Sequence, residues 1–325
     1  MNSKLNLANL PTKIIKAEEL SNELGVNIYI KRDDQTGTEI SGNKVRKLEY
    51  ALKQAKDMGA TLIITTGGIQ SNHCRATTVA ATMLGMKTLL LLRIGEEPKI
   101  EGNYFLNKLL GAEIRFCTPD EYRESRNEIM REIANEKSLS GEKCYIIPEG
   151  ASFGIGSLGY FNAFEEILLQ EKEMSIRFDA IVTATGSGGT YSGLYLANKH
   201  YNQNKRIIGF AVCDNTEYFV NRIDQINRDA LEFINYEIDI RKDDIEINDK
   251  YTGIGYAVST KEELDFIKYF AREEAVILDP VYTGKAMFGL YNELKSGRFK
   301  DLNNILFIHT GGLFGLFPKQ DQFVF

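Results

Sequence analysis

The stretch DAIVTATGSGGT (Asp179–Thr190) is an apolar run of strand length that stops at a glycine-rich turn, after which Tyr191, Leu194 and Ala197 begin a helical spacing. Such a turn aims several backbone N–H groups at one point, with the positive end of a helix dipole behind them, so an anion such as a phosphate fits there. The bland alternative is a connection kept only for tight turning. Two nucleotide patterns fail on the residues. A dinucleotide fingerprint counted from Gly186 needs glycine where Tyr191 stands. A P-loop ending at Gly284-Lys285 would need glycine at Asp279 and Ser or Thr at Ala286. What remains is a phosphate cup suited to a smaller phosphorylated cofactor.

Outward from this unit the same alternation continues almost from end to end. Strands are read over 27–31, 61–66, 87–93, 113–117, 144–148, 180–185, 207–213 and 305–309, several of them apolar on nearly every residue, as expected where helices cover both faces of a parallel sheet. Between them lie amphipathic stretches, such as the helix opening at Thr260, where Thr260 and Glu263 make a capping box ahead of Leu264, Ile267, Phe270 and Ala271. The pattern predicts an α/β fold. The 325 residues suffice for two domains, yet no repeat or Pro/Gly-rich linker marks a boundary, which points to interleaved rather than appended domains.

Composition narrows the function. The net charge of -6 leaves no excess of Lys and Arg for a phosphate backbone, so nucleic acid is excluded as a partner. Cys74, Cys117, Cys144 and Cys213 lie far apart with no CxxC pair, which favours a reducing compartment and offers no metal-ligand spacing; no metal is expected. The start lacks a signal-type apolar segment and no run reaches the length of a membrane span, so a soluble cytoplasmic protein is expected.

Two further turns carry polar chemistry. Thr66 to His73 (TGGIQSNH) follows the apolar TLIIT and precedes a helix through Ala76, Val79, Ala80 and Leu84; its amides, with Ser71, Asn72 and His73, could hold a substrate carboxylate. The alternative is that Ser71 or Asn72 simply caps the helix. Ser41-Gly42-Asn43-Lys44 precedes the helical run 45–56, and a lysine at a helix start opposes the dipole, so Lys44 is either solvated and tolerated or functional.

Together these turns resemble the pyridoxal-phosphate enzymes of the tryptophan synthase β-subunit type, in the branch that contains D-cysteine desulfhydrase and 1-aminocyclopropane-1-carboxylate deaminase. The resemblance rests on IYIKRDDQTG (28–37), SGNKVRKLEY (41–50), TTGGIQSNHCR (65–75), TGSGGT (185–190), YTGIGYA (251–257), LDPVYTGKAM (278–287) and IHTGG (308–312), in family order over most of the chain. It implies pyridoxal 5'-phosphate as cofactor, carried by Lys44 as a Schiff base, with Asn43 on the ring hydroxyl and Thr185, Gly186, Ser187, Gly188, Gly189 and Thr190 around the phosphate. It further implies that Ser71, Asn72 and His73 take the substrate carboxylate and that Tyr256 and Tyr282 line the substrate side, with Lys44, Ser71 and Tyr282 as the catalytic groups. The implied fold has two domains with twisted, mostly parallel sheets flanked by helices: residues 1–44 and 155–325 form the large cofactor domain and 45–154 the small one, in a homodimer.

Within that branch, the deaminase pattern carries Glu after the tyrosine of DPVY and Leu after the histidine of H-x-GG, whereas this chain has Thr283 and Thr310. A carboxylate near the pyridine nitrogen keeps it protonated for ring opening; a hydroxyl tolerates a neutral nitrogen, sufficient when a good leaving group sits on Cβ. The expectation is therefore α,β-elimination of D-cysteine to pyruvate, hydrogen sulfide and ammonia. The alternatives are the cyclopropane deaminase reaction, elimination from L-cysteate, D-serine or a β-chloro-amino acid, and a non-catalytic cofactor-holding protein; the retained Ser71, Asn72, Tyr256 and Tyr282 argue against the last. Glu149, in PEGAS (148–152), departs from relatives that have small or apolar residues there and is expected to shape the entrance. His309 is expected to be structural and His200 to be exposed.

Overall fold

The computed structural model describes residues 3–325. Among them are ten strands: β1 (Ile14–Lys16), β2 (Asn27–Lys31), β3 (Leu62–Gly68), β4 (Lys87–Arg93), β5 (Glu113–Cys117), β6 (Cys144–Ile146), β7 (Ala180–Thr185), β8 (Arg206–Ala211), β9 (Glu246–Asn248) and β10 (Asn304–Ile308). They form a six-stranded sheet in the order β1-β2-β10-β7-β8-β9 and a four-stranded sheet in the order β5-β4-β3-β6. Every pairing is parallel except β1 with β2. The α/β fold read from the alternation is the one observed.

Apolar residues on both sides of each strand explain the near-continuous hydrophobic runs. Side chains along a strand alternate between faces. In β7, Ile181 packs into one core with Leu158, Phe161 and Leu194, while Ala180 and Val182 pack into another with Phe266, Phe270 and Leu290. In β10, Leu306 and Ile308 join the first core, and Ile305 and Phe307 the second. Helices Gly154–Met174 and Gly189–His200 cover the first face; Lys261–Glu274 and Thr283–Lys295 cover the second. The capping box at Thr260 forms, its hydroxyl accepting from the Glu263 N–H and the Glu263 carboxylate accepting from the Thr260 N–H.

Differences from the sequence reading lie at edges and ends. The strand expected over 144–148 ends at Ile146: the Ile147 N–H still donates to the Ile64 carbonyl, but Pro148 has no N–H to continue the ladder. The strand expected over 207–213 ends at Ala211, since β7, its partner, gives way to the glycine turn after Thr185. The edge strands β1 and β9 span three residues each, too short for a periodic signal. His200 is half-buried rather than exposed, packed against Tyr201 and Tyr236 with ring centroids 4.6 and 4.2 Å away. Among the described residues, no helix is long and apolar enough to cross a membrane.

Candidate active site

Parallel strands bring their carboxyl ends to one edge, where loops meet helix N-termini. Here the turns after β3, β7 and β10 open onto one pocket with the Lys44 helix and the loop around Glu149. Its walls include Asn43, Lys44, Ser71, Asn72 and His73 from the N-terminal third of the chain. Opposite them stand Thr185, Gly186, Ser187, Gly188 and Thr190, with Tyr256, Tyr282 and Thr310 completing the enclosure. Gly189 and Thr283 are absent from that lining.

Lys44 is the first residue of the helix Lys44–Asp57, half-buried, with Nζ donating to Asn43 Oδ1 at 3.1 Å. Burial lowers its amine from 10.5 to about 8, against the opposing pull of the Glu149 and Asp279 carboxylates. The dipole penalty at a helix start works in the same direction. Asn43 ties the lysine to both neighbouring turns: its amide Nδ2 donates to Thr190 Oγ1 at 3.0 Å and its backbone N–H to the Thr310 carbonyl at 3.1 Å. Gly42, at φ +101°, allows that approach, since a Cβ there would stand 3.0 Å from the Thr310 oxygen.

The turn after β7 is a cup with cations around it. Gly188, at φ +88°, precedes the helix Gly189–His200, whose first amides lack intrahelical acceptors. The Gly189 N–H donates to Ser152 Oγ at 3.2 Å, and Ser152 Oγ lies 2.8 Å from Ser187 Oγ. Sequence reasoning missed Lys47, which donates to Ser152 Oγ at 3.2 Å and to the Gly150 carbonyl at 3.1 Å while only 1% exposed. Among the described residues no carboxylate pairs with it, and burial, with the charges of Lys44 and Arg222, drives its pKa well down. The signal was available: Lys47 lies three residues after Lys44, on the same helix face.

Across the pocket, Ser71 is the N-cap of the helix Asn72–Met83, its Oγ accepting from the Cys74 N–H at 3.1 Å. The first helical amides, those of Asn72 and His73, face the pocket end of that helix. The His73 ring is committed elsewhere. Thr65 Oγ1 gives its proton to the Ile147 carbonyl, so His73 Nε2, 2.7 Å from that hydroxyl, must be the donor of the pair. Burial, reinforced by Lys44 and Lys47, holds the ring neutral. Asn72 Oδ1 accepts from Asn103 Nδ2 at 2.9 Å, and Asn103 in turn accepts from Arg75 Nε at 2.8 Å; neither partner carried a sequence signal.

Tyr256 and Tyr282 bring their hydroxyls to 2.5 Å, and burial pushes both phenols up, so the pair is neutral. The turn carrying Tyr282 is fixed by buried Asp279, whose carboxylate accepts the N–H groups of Val281, Tyr282 and Thr283. Thr283 lies behind the wall, its hydroxyl donating to Asp279 Oδ1 at 2.8 Å. His309 is buried, with Nε2 2.9 Å from the Ile277 carbonyl and Nδ1 accepting from the Gly311 N–H.

Comparison with known proteins agrees with this arrangement. The family model described as pyridoxal-phosphate dependent enzyme matches residues 5–311. The chain is 41% identical over 323 residues to a putative 1-aminocyclopropane-1-carboxylate deaminase of Thermotoga maritima, covering 99% of this chain and 100% of that protein. It is likewise 41% identical to the mitochondrial bifunctional D-cysteine desulfhydrase/1-aminocyclopropane-1-carboxylate deaminase of Arabidopsis thaliana, over 98% of this chain and 80% of that one. A crystal structure of an ACC deaminase homologue superposes with a TM-score of 0.89 at 38% identity, covering 98% and 94% of the two chains.

The pocket suits the group such enzymes carry. A phosphate dianion would give Lys47 the counter-charge that none of the described residues supplies, and Thr185, whose buried Oγ1 has no hydrogen-bond partner among them, lines the same pocket. Lys44 offers an amine of lowered pKa for an aldehyde. With the match spanning nearly the whole chain and the cup, cation and amine in place, this protein belongs to the pyridoxal-phosphate dependent enzymes, and pyridoxal 5'-phosphate is its cofactor.

Proposed function

We propose that the protein is a lyase that carries out α,β-elimination of D-cysteine, releasing pyruvate, hydrogen sulfide and ammonia. The observation that carries the reading is the placement of Lys44, with its lowered pKa, in one pocket with the neutral Tyr256–Tyr282 hydroxyl pair and the start of the Asn72–Met83 helix. When bound, the cofactor supplies a conjugated sink for the electron pair left at Cα. Lys44 would hold it covalently, Asn43 would meet its ring hydroxyl, and the amides of the Gly186–Thr190 turn with Lys47 would hold its phosphate.

The remaining steps fall to the side chains. The Asn72 and His73 amides and Asn72 Nδ2, which meets no acceptor among the described residues, receive the substrate carboxylate, placing Cα within reach of Lys44. The amine takes the Cα proton. Cβ then faces the tyrosine pair, and the neutral hydroxyl of Tyr282, keeping its proton, gives a hydrogen bond to the sulfur as it departs as hydrosulfide. Ser71 holds the helix start rigid through its bond to the Cys74 N–H. Thr283, bonded to Asp279, and Thr310 stand where the deaminase pattern carries Glu and Leu, which supports a substrate with its own good leaving group.

The two sheets support a division into a large domain of residues 1–44 and 155–325 and a small one of 45–154, since the four-stranded sheet draws only on residues 62–146. We further infer a cytoplasmic homodimer. The second reading is 1-aminocyclopropane-1-carboxylate deaminase, favoured by the name of the Thermotoga relative. The test is the visible spectrum of the wild type and of Lys44→Ala, followed by D-cysteine and the cyclopropane amino acid, with sulfide, pyruvate and 2-oxobutanoate assayed. The proposal expects a visible band lost in the variant and sulfide with pyruvate from D-cysteine. 2-Oxobutanoate without sulfide would replace it by the second reading, and a protein that never takes up the cofactor would sink both.

A further inference from the structure

Beside the Lys44 pocket lies a second cavity of about 560 Å³ that shares Glu149, Gly186 and Tyr256 with it. One wall is a column of alternating guanidinium groups and phenol rings. The Arg126 guanidinium lies 5.1 Å from the Tyr122 ring centroid, Arg93 lies 4.9 Å from the same ring, and Arg93 is also 5.3 Å from the ring of Tyr256. Tyr256 in turn meets Tyr282 through their hydroxyls. The column thus joins residues of β4, of the helix Pro119–Leu139 and of the loop after β9, and it ends at the reacting side of the pocket.

Among the described residues, two groups in this column lack a close hydrogen-bond or ion-pair partner. Tyr122 is 5% exposed and its Oη makes no close hydrogen bond among the described residues, while burial and the neighbouring Glu149 carboxylate push its phenol up, so the hydroxyl keeps its proton. Native structures rarely leave a buried hydroxyl unpaired. Arg93 is half-buried and, among the described residues, has no carboxylate within 4.0 Å, whereas Arg126 lies 3.9 Å from Glu149 and the exposed Arg123 lies 3.8 Å from Asp120. The other acidic group on the wall, Asp214, is exposed at the rim, and the Cys213 thiol is pushed up by burial and stays neutral. Stacking on two rings holds a guanidinium in place without neutralising it, so its N–H donors remain available to an oxyanion or thiolate.

We propose that this cavity is an anion subsite, with Arg93 and the Tyr122 hydroxyl as its donors, and that it receives the β-substituent as it separates from Cβ. The inference rests on the elimination reading above. In that reaction a proton leaves Cα, the bond between Cβ and the leaving atom breaks, and the bonding pair departs with the leaving atom. A thiol substituent therefore leaves as hydrosulfide and a sulfonate as sulfite, each an anion. A cation fixed on the far side of Tyr256 draws that anion away from the Lys44 pocket and lowers the energy of its formation. The subsite thereby selects amino acids whose β-substituent leaves as an anion.

The test uses the cofactor-loaded protein, so that the phosphate cup is filled, with inorganic sulfate as the probe in calorimetric titration. Wild type is expected to bind one sulfate, Arg93→Gln to bind it about tenfold or more weakly, as loss of one charge-assisted hydrogen bond requires, and Arg93→Lys to retain most of the affinity. Tyr122→Phe, which keeps the ring and the column, is expected to weaken sulfate severalfold, and Arg123→Gln on the rim to leave it unchanged. In the same variants kcat/KM for D-cysteine should fall about as much as sulfate affinity. Absence of sulfate binding in wild type, or equal binding in Arg93→Gln, overturns the subsite. Failure of the elimination reading shows separately, as a coloured protein that releases no sulfide.

Discussion

Lys47 offers the sharpest test of how this pocket is charged. In the cofactor-free protein its ammonium is buried against Ser152 Oγ and the Gly150 carbonyl, neither of which bears charge, and its pKa is driven well below the usual value. Replacing such a cation by an apolar chain of similar length removes a desolvation penalty along with two hydrogen bonds, and Ser152 Oγ still lies 3.4 Å from the Gly150 oxygen. Lys47→Met should therefore leave the stability of the cofactor-free protein within about 1 kcal/mol of wild type. The phosphate, by contrast, would lose a charge-assisted bond worth about 1.5–3 kcal/mol, or roughly 10- to 150-fold in Kd. Urea unfolding with and without pyridoxal phosphate separates the two effects. At a cofactor concentration near 100 times the wild-type Kd, wild type should gain about 2.7 kcal/mol, and the variant only about 0.3 to 1.4 kcal/mol. An undiminished gain in Lys47→Met would refute the reasoning, and so would a loss of about 3 kcal/mol or more in the cofactor-free protein, because Lys47 would then be structural.

Other consequences follow from the same charges. Asp33, fully buried, accepts two bonds from the Arg46 guanidinium at 2.8 Å each, and Arg46 also pairs with Glu166; Asp33→Asn should cost about 3–5 kcal/mol in urea unfolding, and a loss below about 1 kcal/mol would show that the network is dispensable. Both carboxyls are held below their ordinary values, though burial opposes the pairing, so their contribution is present at neutral pH and is lost as pH falls below about 4, where the unfolded chain takes up protons first; a stability flat between pH 5 and pH 3, on the order of these limits, would contradict this. Only the neutral amine of Lys44 can attack an aldehyde, so cofactor capture by the cofactor-free protein should quicken with pH to a midpoint at about 8; a rate still climbing steeply two units higher, roughly at the ordinary lysine value, would mean that burial does not tune it. Tyr282→Phe should lower kcat about 100-fold while leaving the visible band intact, and an unchanged kcat would remove Tyr282 from the chemistry.

What the sequence determined by itself was local. The turn at Thr185–Thr190 needs only a strand before it, glycines within it and a helix behind it, and all three are written consecutively. The strands β7 and β10 were legible because a sheet covered on both faces demands an unbroken apolar run, and the Thr260 capping box because its two partners lie three residues apart. Family motifs then drew Lys44, Ser71, Asn72, Tyr256 and Tyr282 to one pocket, which the tertiary structure lines with those residues.

Tertiary structure alone decided which charges are left unpaired. That Lys47 is buried with no carboxylate partner among the described residues depends on residues 150 and 152 closing over it, and that Thr283 turns its hydroxyl to Asp279 depends on how the loop before its helix is held. The His73 ring lost its open role because Thr65, on the neighbouring strand, passes its own proton to Ile147. Arg93, Tyr122, Arg126 and Tyr256 are spread over more than half the chain, and only the packing of β4 against the Pro119–Leu139 helix and the loop after β9 stacks them into one column. Hydrogen-bond and charge balance at a buried point is a sum over everything that surrounds it, and no local pattern of residue types contains that sum.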